Sequence, residues 1–476
     1  MCRRAGHAVV GLAGLAVLAG CSLAPRYRTP PTAPAAPAYK ELDGWKLAAP
    51  ADNAPRGQWW EMFHDEELDA LEARVTTANE NLKAALARFD EAAAQTRFAR
   101  AGFFPTVTAN AGATRERLSA DAPEFPPGGQ TYYNDFIAGG ALSWELDLFG
   151  RIRNTVAGTR ATEQATAGDL AALDLAVHAQ LASDYFMLRG LDAQQQLLDH
   201  TVADYAKALE LTQDLYHGGA AALADVEQAQ AQLETARTQA EDTRLHRAQT
   251  EHAIAVLVGQ QASSFSLAAR PLPPDMPPPP VDPGLPSQLL ERRPDVAAAE
   301  RRVAAANANI GVARAAYFPD FSLAAAAGWQ SIAQSTWFSA PSRYWSIGPQ
   351  GVLTVFDAGA HAAQAAGAHA AYDEQVADYR GTVLTAFQDV EDSLAALRQL
   401  ERESVSQAAA VEATQGALDQ ANYRYKGGIV TYLEVVSTEN AALAARLAAL
   451  GIETQRLTST VQLVQALGGD WQSTRR

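Results

Sequence analysis

The sequence has little from which to build a reactive centre. Its only two cysteines, Cys2 and Cys21, exclude a disulfide-stapled scaffold and a cysteine-rich metal site. The nine histidines are dispersed: His361 and His369 stand eight apart and His246 and His252 six apart, so no His-Glu-x-x-His pair arises. No glycine-rich phosphate loop occurs, so any energy the protein uses comes from another subunit. Basic residues are outnumbered, 38 against 54 acids, and the net charge of −16 argues against a nucleic-acid partner. Aromatic residues make up only 8% while apolar residues reach 48%, much of that being alanine, the best helix former. The acids Asp389, Glu391 and Asp392 cluster, but a solvated or interdomain face explains them better than paired catalytic carboxylates. The expectation is therefore no enzyme, no metal and no cofactor, with long, closely packed helices.

The N-terminus reads as a processing signal. Arg3 and Arg4 precede an apolar run at 8–19, which is shorter than the roughly 20 residues a membrane-spanning helix requires. It closes on Leu18-Ala19-Gly20-Cys21, which resembles the lipobox of bacterial lipoproteins. That resemblance implies cleavage after residue 20, loss of Cys2, and a covalent lipid on Cys21. Residues 21–38, rich in Pro and Ala, are then expected to be an extended, lipidated tether. Ser22, rather than aspartate, follows the cysteine, which in this class favours sorting to the outer membrane.

The remainder is duplicated. Residues 79–105 (NENLKAALARFDEAAAQTRFARAGFFP) align without a gap on 293–319 (RPDVAAAERRVAAANANIGVARAAYFP), each a helical stretch ended by proline. Tyr216-His217-Gly218-Gly219, with Asp225-Val226, matches Tyr425-Lys426-Gly427-Gly428, with Glu434-Val435, at the same internal spacing. The domain plan is a signal at 1–20, the tether, an N-terminal segment at 39–66, a first repeat at 67–259, a proline-rich connector acting as a hinge at 260–284, a second repeat at 285–468 and a tail at 469–476.

Within each repeat the period changes. Phe136, Ala138, Gly140, Leu142, Trp144 and Leu146 alternate with a side that carries Asp135, Ser143 and Glu145; Phe321, Leu323, Ala325, Ala327 and Trp329 do the same. Four strands are expected, about 104–118, 131–147, 318–333 and 344–357, with 119–130 and 334–343 as outer loops. Such alternation suits a transmembrane β-strand as well as a half-buried soluble hairpin. Four strands cannot close a barrel, and open edges cannot face lipid, so a membrane reading requires several chains.

Residues 150–216 and 360–425 contain no proline and predict two helices of about 65 residues, roughly 100 Å each. A heptad seam is legible at Leu198, Val202, Tyr205, Leu209, Thr212 and Tyr216. Its counterpart runs Ser404, Ala408, Val411, Gln415, Leu418, Asn422, Tyr425 and returns through Leu433, Val436, Asn440 and Leu443. These seams predict antiparallel coiled-coil hairpins with tips at 216–223 and 425–433.

The lipobox at Cys21, Pro105 and Pro319, WELDLFGRIR at 144–153, ERRPDVAAAE at 291–300 and YKGGIVTYLEVV at 425–436, in this order, resemble the outer-membrane factors of the TolC and OprM type, in the lipid-anchored OprM/NodT-like branch. The resemblance implies a mainly α fold with transmembrane β: a long helical barrel plus four strands per chain, closed as a 12-stranded barrel in a homotrimer. It further implies an outer-membrane exit duct for small molecules, working with a periplasmic adaptor and an inner-membrane pump of the RND type. Adaptor docking falls to the tips with Gly218, Gly219, Gly427 and Gly428, and a periplasmic gate to Tyr425, Leu433, Glu434 and Ser437. Ser437 stands where the family usually has aspartate. Three Glu434 side chains around an axis would favour cations, and three Leu433 would form an apolar constriction. A periplasmic coiled-coil scaffolding lipoprotein without a pore, or the same duct dedicated to heavy metals, are the competing readings.

Overall fold

The computed structural model describes residues 22–32, 36, 38–42, 58–119, 131–273, 276–281 and 292–469. Cys21 and the signal lie outside them, as does most of the first outer loop. In chain order the main elements are α1 (Glu66–Ala78), α2 (Glu80–Ala101), β1 (Thr106–Arg117), β2 (Tyr132–Leu146), α3 (Arg151–His217), α4 (Leu223–Leu257), α5 (Pro294–Ala315), β3 (Asp320–Ser331), β4 (Arg343–Val352), α6 (Ala360–Lys426) and α7 (Tyr432–Ala466). The duplication is nearly exact in length: α2 and α5 have 22 residues each, β1 and β3 have 12, α3 and α6 have 67, and α4 and α7 have 35.

Local chemistry sets the boundaries. The Asp65 carboxylate caps α1 by accepting from the Glu67 and Leu68 N–H groups at 3.0 and 3.3 Å. Asn79 Oδ1 caps α2 through Asn81 N at 2.9 Å and Leu82 N at 3.1 Å. The aspartates of the two WELDLFG-like motifs do the same for the longest helices. Asp147 accepts from Ile152 and Arg153 N–H, both at 2.9 Å, and Asp357 accepts from His361 N–H at 2.8 Å. A carboxylate there also complements the positive end of the helix dipole.

Two compact units emerge, and neither coincides with a sequence repeat. One comprises residues 88–167 and 298–379 with the N-terminal segment to 31; the other comprises 32–87, 168–297 and 380–476. Each repeat therefore contributes to both.

The first unit holds the sheet, an antiparallel meander in the order β1-β2-β3-β4. Its register, Val107↔Leu142, Leu142↔Ala325 and Ala325↔Ile347, sorts side chains onto two faces. One face carries Val107, Ala109, Ala111 and Ala113 of β1 and the apolar sets of β2 and β3, then Trp345, Ile347 and Pro349 of β4. The other carries Thr108, Asn110 and Thr114, then Asp135 and Ser143, then Ser322 and Gln330, then Ser346 and Gln350. At the junction of the repeats the backbones approach closely. A Cβ at Gly328 would lie 2.4 Å from the Ala138 carbonyl oxygen, so only glycine fits. The fourth strand is shorter than the sequence suggests: it stops at Val352, not near 357. Val352 already pairs with Asp320, where β3 begins after Pro319, and no ladder remains beyond it.

The expected free tether is also corrected. Ser22 Oγ donates to Asn154 Oδ1 at 2.8 Å, and Asn307 Nδ2 donates to the Pro25 carbonyl at 2.9 Å. Tyr27 donates to the Glu300 carboxylate. Residues 22–27 are thus seated on α3 and α5 in specific contacts.

The second unit has the larger aliphatic and aromatic core. Trp60, Phe63, Leu68, Leu71 and Val75 pack against Leu181, Tyr185, Phe186 and Leu188 of α3, with Ile254, Phe265, Leu272, Leu457 and Val461. Phe265 and Leu272 belong to the proline-rich connector, whose first part packs into this core. Asp192 explains the anchoring: it is 3% exposed and accepts from Arg189 Nη1 at 2.8 Å, Arg247 Nε at 2.6 Å and the Arg270 backbone N–H at 2.9 Å. A buried carboxylate that collects three donors offsets its desolvation. The acidic cluster on α6 is an inter-element face: Glu391 accepts from the Lys40 and Glu41 N–H groups at 2.8 and 3.1 Å, and Asp389 pairs with Arg293 at 2.8 Å.

His178 is a buried ionisable group, 3% exposed, with Nδ1 2.5 Å from Glu72 Oε2 and its ring stacked on Trp60 at 4.6 Å. Burial pulls its pKa down, but hydrogen bonds to Asp174 and Glu72 outweigh this and hold it up at about 9. A raised histidine stabilises most below its unfolded value of about 6.5, and the contribution fades as pH rises through about 9. Burial pushes the partner Glu72 up to about 7, so both groups are charged between about pH 7 and 9, and there His178→Ala is expected to cost about 3–5 kcal/mol and to flatten the alkaline loss. Thermal melts of both proteins between pH 6 and 10 check it; parallel pH slopes would contradict the assignment.

Candidate functional site

The two helical hairpins, α3–α4 and α6–α7, meet in the second unit. Tyr205 and Leu209 of α3, Ala229, Leu233 and Ala236 of α4, Ala421 of α6, and Tyr432, Val435 and Val436 of α7 form one buried cluster. A second contact set joins Leu198, Ala240 and Leu443. Gln232 Nε2 donates to Glu439 Oε2 at 2.8 Å across the pair of hairpins. Burial pushes the Glu439 carboxyl upward and the Tyr205 phenol up to about 12, so this face keeps its groups neutral or hydrogen-bonded. The seam read from α3 is the buried one at Leu198, Tyr205, Leu209 and Thr212. On α7 the expected Val436 and Leu443 are buried and are joined by Tyr432 and Val435, whereas Leu433 is 63% exposed and Asn440 is exposed.

The tips share one backbone solution. After α3, Ala220 N–H donates to the Leu215 carbonyl at 2.7 Å and Gly219 N–H to Tyr216 at 2.9 Å. After α6, Ile429 N–H donates to Arg424 at 3.0 Å and Gly428 N–H to Tyr425 at 2.9 Å. This six-to-one and five-to-two pairing is the Schellman cap, and it requires a left-handed residue, here Gly219 at φ +74° and Gly428 at φ +73°. Gly218 and Gly427 precede that position without positive φ.

Side chains then set the copies apart. In the first tip the Asp225 carboxylate accepts from the Ala222 N–H at 3.2 Å and caps its own helix. In the second tip its counterpart Glu434 reaches back over the turn, and its Oε1 accepts from Arg424 Nη1 at 2.6 Å. The equivalent of Arg424 in the first copy is Leu215, so no such pair can form there. Tyr425 is half-buried, its ring 5.5 Å from that of Tyr432, and burial followed by the charge of Asp225 raises its phenol pKa.

Of the sequence-derived site residues, the structure gathers Tyr425, Leu433 and Glu434 at the second tip, with Ser437 exposed one turn further on. Glu434 is not a bare charge at this tip, because it is paired with Arg424 of the same chain. Arg424 and Tyr432 were missed. Arg424 had only a weak signal, a cation ten positions before an acid across a Gly-Gly turn. Among the described residues no group of three or more His, Cys, Asp or Glu could hold a metal ion.

The left-handed requirement gives a local prediction. At Gly428 an added Cβ meets nothing within 4 Å, so Gly428→Ala pays only backbone strain, about 1–2 kcal/mol. Gly427→Ala meets ordinary contacts at 3.5 Å and should cost less. Chemical denaturation of the two variants decides between them; equal losses would count against the assigned cap.

The geometry has close relatives. Residues 73–260 and 285–469 match the family described as outer membrane efflux protein. The toluene efflux pump outer membrane protein TtgC of Pseudomonas putida is 34% identical over 462 residues, covering 96% of this chain and 94% of that protein. Outer membrane protein OprJ of Pseudomonas aeruginosa is 32% identical over 477 residues, covering 99% and 98%. Among solved structures, the outer-membrane channel OprN superposes with a TM-score of 0.86 at 30% identity, over 94% of this chain and 99% of that one.

Proposed function

This chain belongs to the outer membrane efflux protein family and is an outer-membrane efflux channel, and from that premise we propose how it is assembled, anchored and gated. The sheet of the first unit spans the membrane, with its apolar face toward lipid and its Thr, Asn, Ser and Gln face toward the lumen. The observation that carries this is the register, which places every apolar set of four strands on one side. A homotrimer supplies the missing strand pairings and closes a 12-stranded barrel. A lipid on Cys21 adds an anchor beside residues 22–27, and incorporation of labelled palmitate reads it. A periplasmic adaptor docks at the Gly218-Gly219 and Gly427-Gly428 tips, and an inner-membrane pump of the RND type supplies energy.

The gate lies at the second tip. Each chain contributes a half-exposed Arg424–Glu434 pair, an exposed Leu433 and the Tyr425–Tyr432 aromatic contact. An ion pair at this exposure contributes about 0.2–1 kcal/mol and weakens with salt. Such a latch holds a resting state yet yields to the modest binding energy of a docking partner. It also leaves the entrance less anionic than three free carboxylates, consistent with Ser437 in place of an acid. The family and the solved neighbour are channel proteins, and we assign no catalytic step to this chain. Cargo is chosen by the pump and adaptor: a toluene pump protein is among the relatives, and so is a cation efflux protein of Escherichia coli at 30% identity over 464 residues.

Single-channel recording in a planar bilayer tests the gate. Three latches acting together predict that Arg424→Ala or Glu434→Gln raises the open population about threefold to one-hundredfold. Raising the ionic strength should move the wild type in the same direction. Wild type and both variants conducting alike at all salt concentrations would place the gate elsewhere.

A further inference from the structure

A cavity of about 790 Å³ lies in the first unit, where α2 ends and α3 begins beside the N-terminal segment. Four arginines line it, Arg100, Arg153, Arg160 and Arg301, and no carboxylate does. Two of the four are already neutralised: Arg153 Nε donates to Asp147 at 2.9 Å and Arg301 pairs with Glu300. Arg100 and Arg160 are exposed and form no side-chain ion pair among the described residues. Asn154, also on the wall, is 4% exposed, and its amide is turned to the N-terminal segment, where Oδ1 accepts from Ser22 Oγ at 2.8 Å. Cationic side chains left unpaired in a concave site with no carboxylate on its wall describe a receptor for an anion rich in acceptor oxygens.

The rest of the wall argues for what carries that anion. Phe103 and Phe104 face the cavity, with Pro25, Ala157 and Ala161 supplying further apolar surface. Phe104 is 71% exposed, and both aromatics lead through Pro105 directly into β1. Arg153 stands seven residues after the last residue of β2. The cavity therefore sits at the foot of the sheet, where a spanning sheet leaves the hydrocarbon for the headgroup layer, with an apolar wall on the lipid side of its arginines. We propose that this cavity binds the phosphate of an anionic phospholipid, with Arg100 and Arg160 as the selecting charges. This rests on the membrane-spanning reading of the sheet given above. The N-terminal segment forms one wall, so a bound lipid fastens residues 22–27 to α3 and α5 and steadies the junction between sheet and helices.

The test uses the full-length protein in a neutral detergent, titrated with phosphatidylglycerol, phosphatidylcholine or inorganic phosphate, with bound lipid counted by native mass spectrometry. Phosphatidylglycerol should bind most tightly, and the double variant Arg100→Gln/Arg160→Gln should weaken it about tenfold or more while leaving phosphatidylcholine unchanged. The double variant Arg100→Lys/Arg160→Lys, which keeps the charge, should retain most of the preference. Equal binding of the two lipids, or a preference that survives Arg→Gln, overturns the proposal. Inorganic phosphate displacing phosphatidylglycerol at equal concentration overturns the lipid assignment in favour of a soluble-anion site. Conductance of the same variants separates this from the channel reading: lost lipid preference with normal currents supports the cavity's role, whereas absence of current in the wild type itself strikes the membrane reading beneath it.

Discussion

A hydrogen-bonding group of the backbone has nothing to pair with in hydrocarbon except another backbone, and the whole molecule answers to that constraint. Among the described residues, the meander leaves one edge of β1, over 12 residues, and one edge of β4, over 10, without a neighbour. Each unpaired group in lipid costs several kcal/mol, while an entire domain is stable by only about 5–15 kcal/mol. A handful of open groups on either edge outweighs all the folding stability available. On the proposed membrane-spanning arrangement, the edges are therefore paired by other copies. The apolar band on one face of the sheet, bounded at its outer end by Arg115, Arg117 and Arg343, suits lipid on one side and water on the other.

Duplication supplies the rest at low informational cost. Two copies of one helix-strand-strand-helix-helix unit give equal helix lengths and identical Schellman turns, so both hairpins share a backbone. Divergence is confined to side chains. Asp225 caps its own helix because Leu215 offers it nothing else, whereas Glu434 is drawn away to Arg424. The first tip thereby closes on its own helix and the second carries a half-exposed ion pair, a difference that needs only two positions to change.

Much of this could be read from the residues. Absence of proline announced α3 and α6, Pro105 and Pro319 announced the strands, and period-two alternation assigned their faces correctly. What escaped depended on partners distant in sequence. The end of β4 is set by where β3 begins, not by any residue near 357. The tether and the connector look like spacers in composition, yet Asn154, Asn307, Glu300 and Asp192 hold them through contacts that no local pattern records. On α7 the spacing found Val436 and Leu443 but placed Leu433 where Tyr432 is the residue buried by the opposite hairpin, and heptad spacing inside one helix is blind to that. Glu434 looked like a bare charge because its partner lies on the far side of a turn.

The most direct test of the central constraint is the mass of the assembled protein, extracted from membranes in mild detergent and measured by native mass spectrometry. Three copies, about three times the 50.6 kDa of one chain before processing, are predicted, because three sets of four strands close both edges of every sheet. A membrane-inserted species of a single chain would contradict the account, since it would leave β1 and β4 open to lipid.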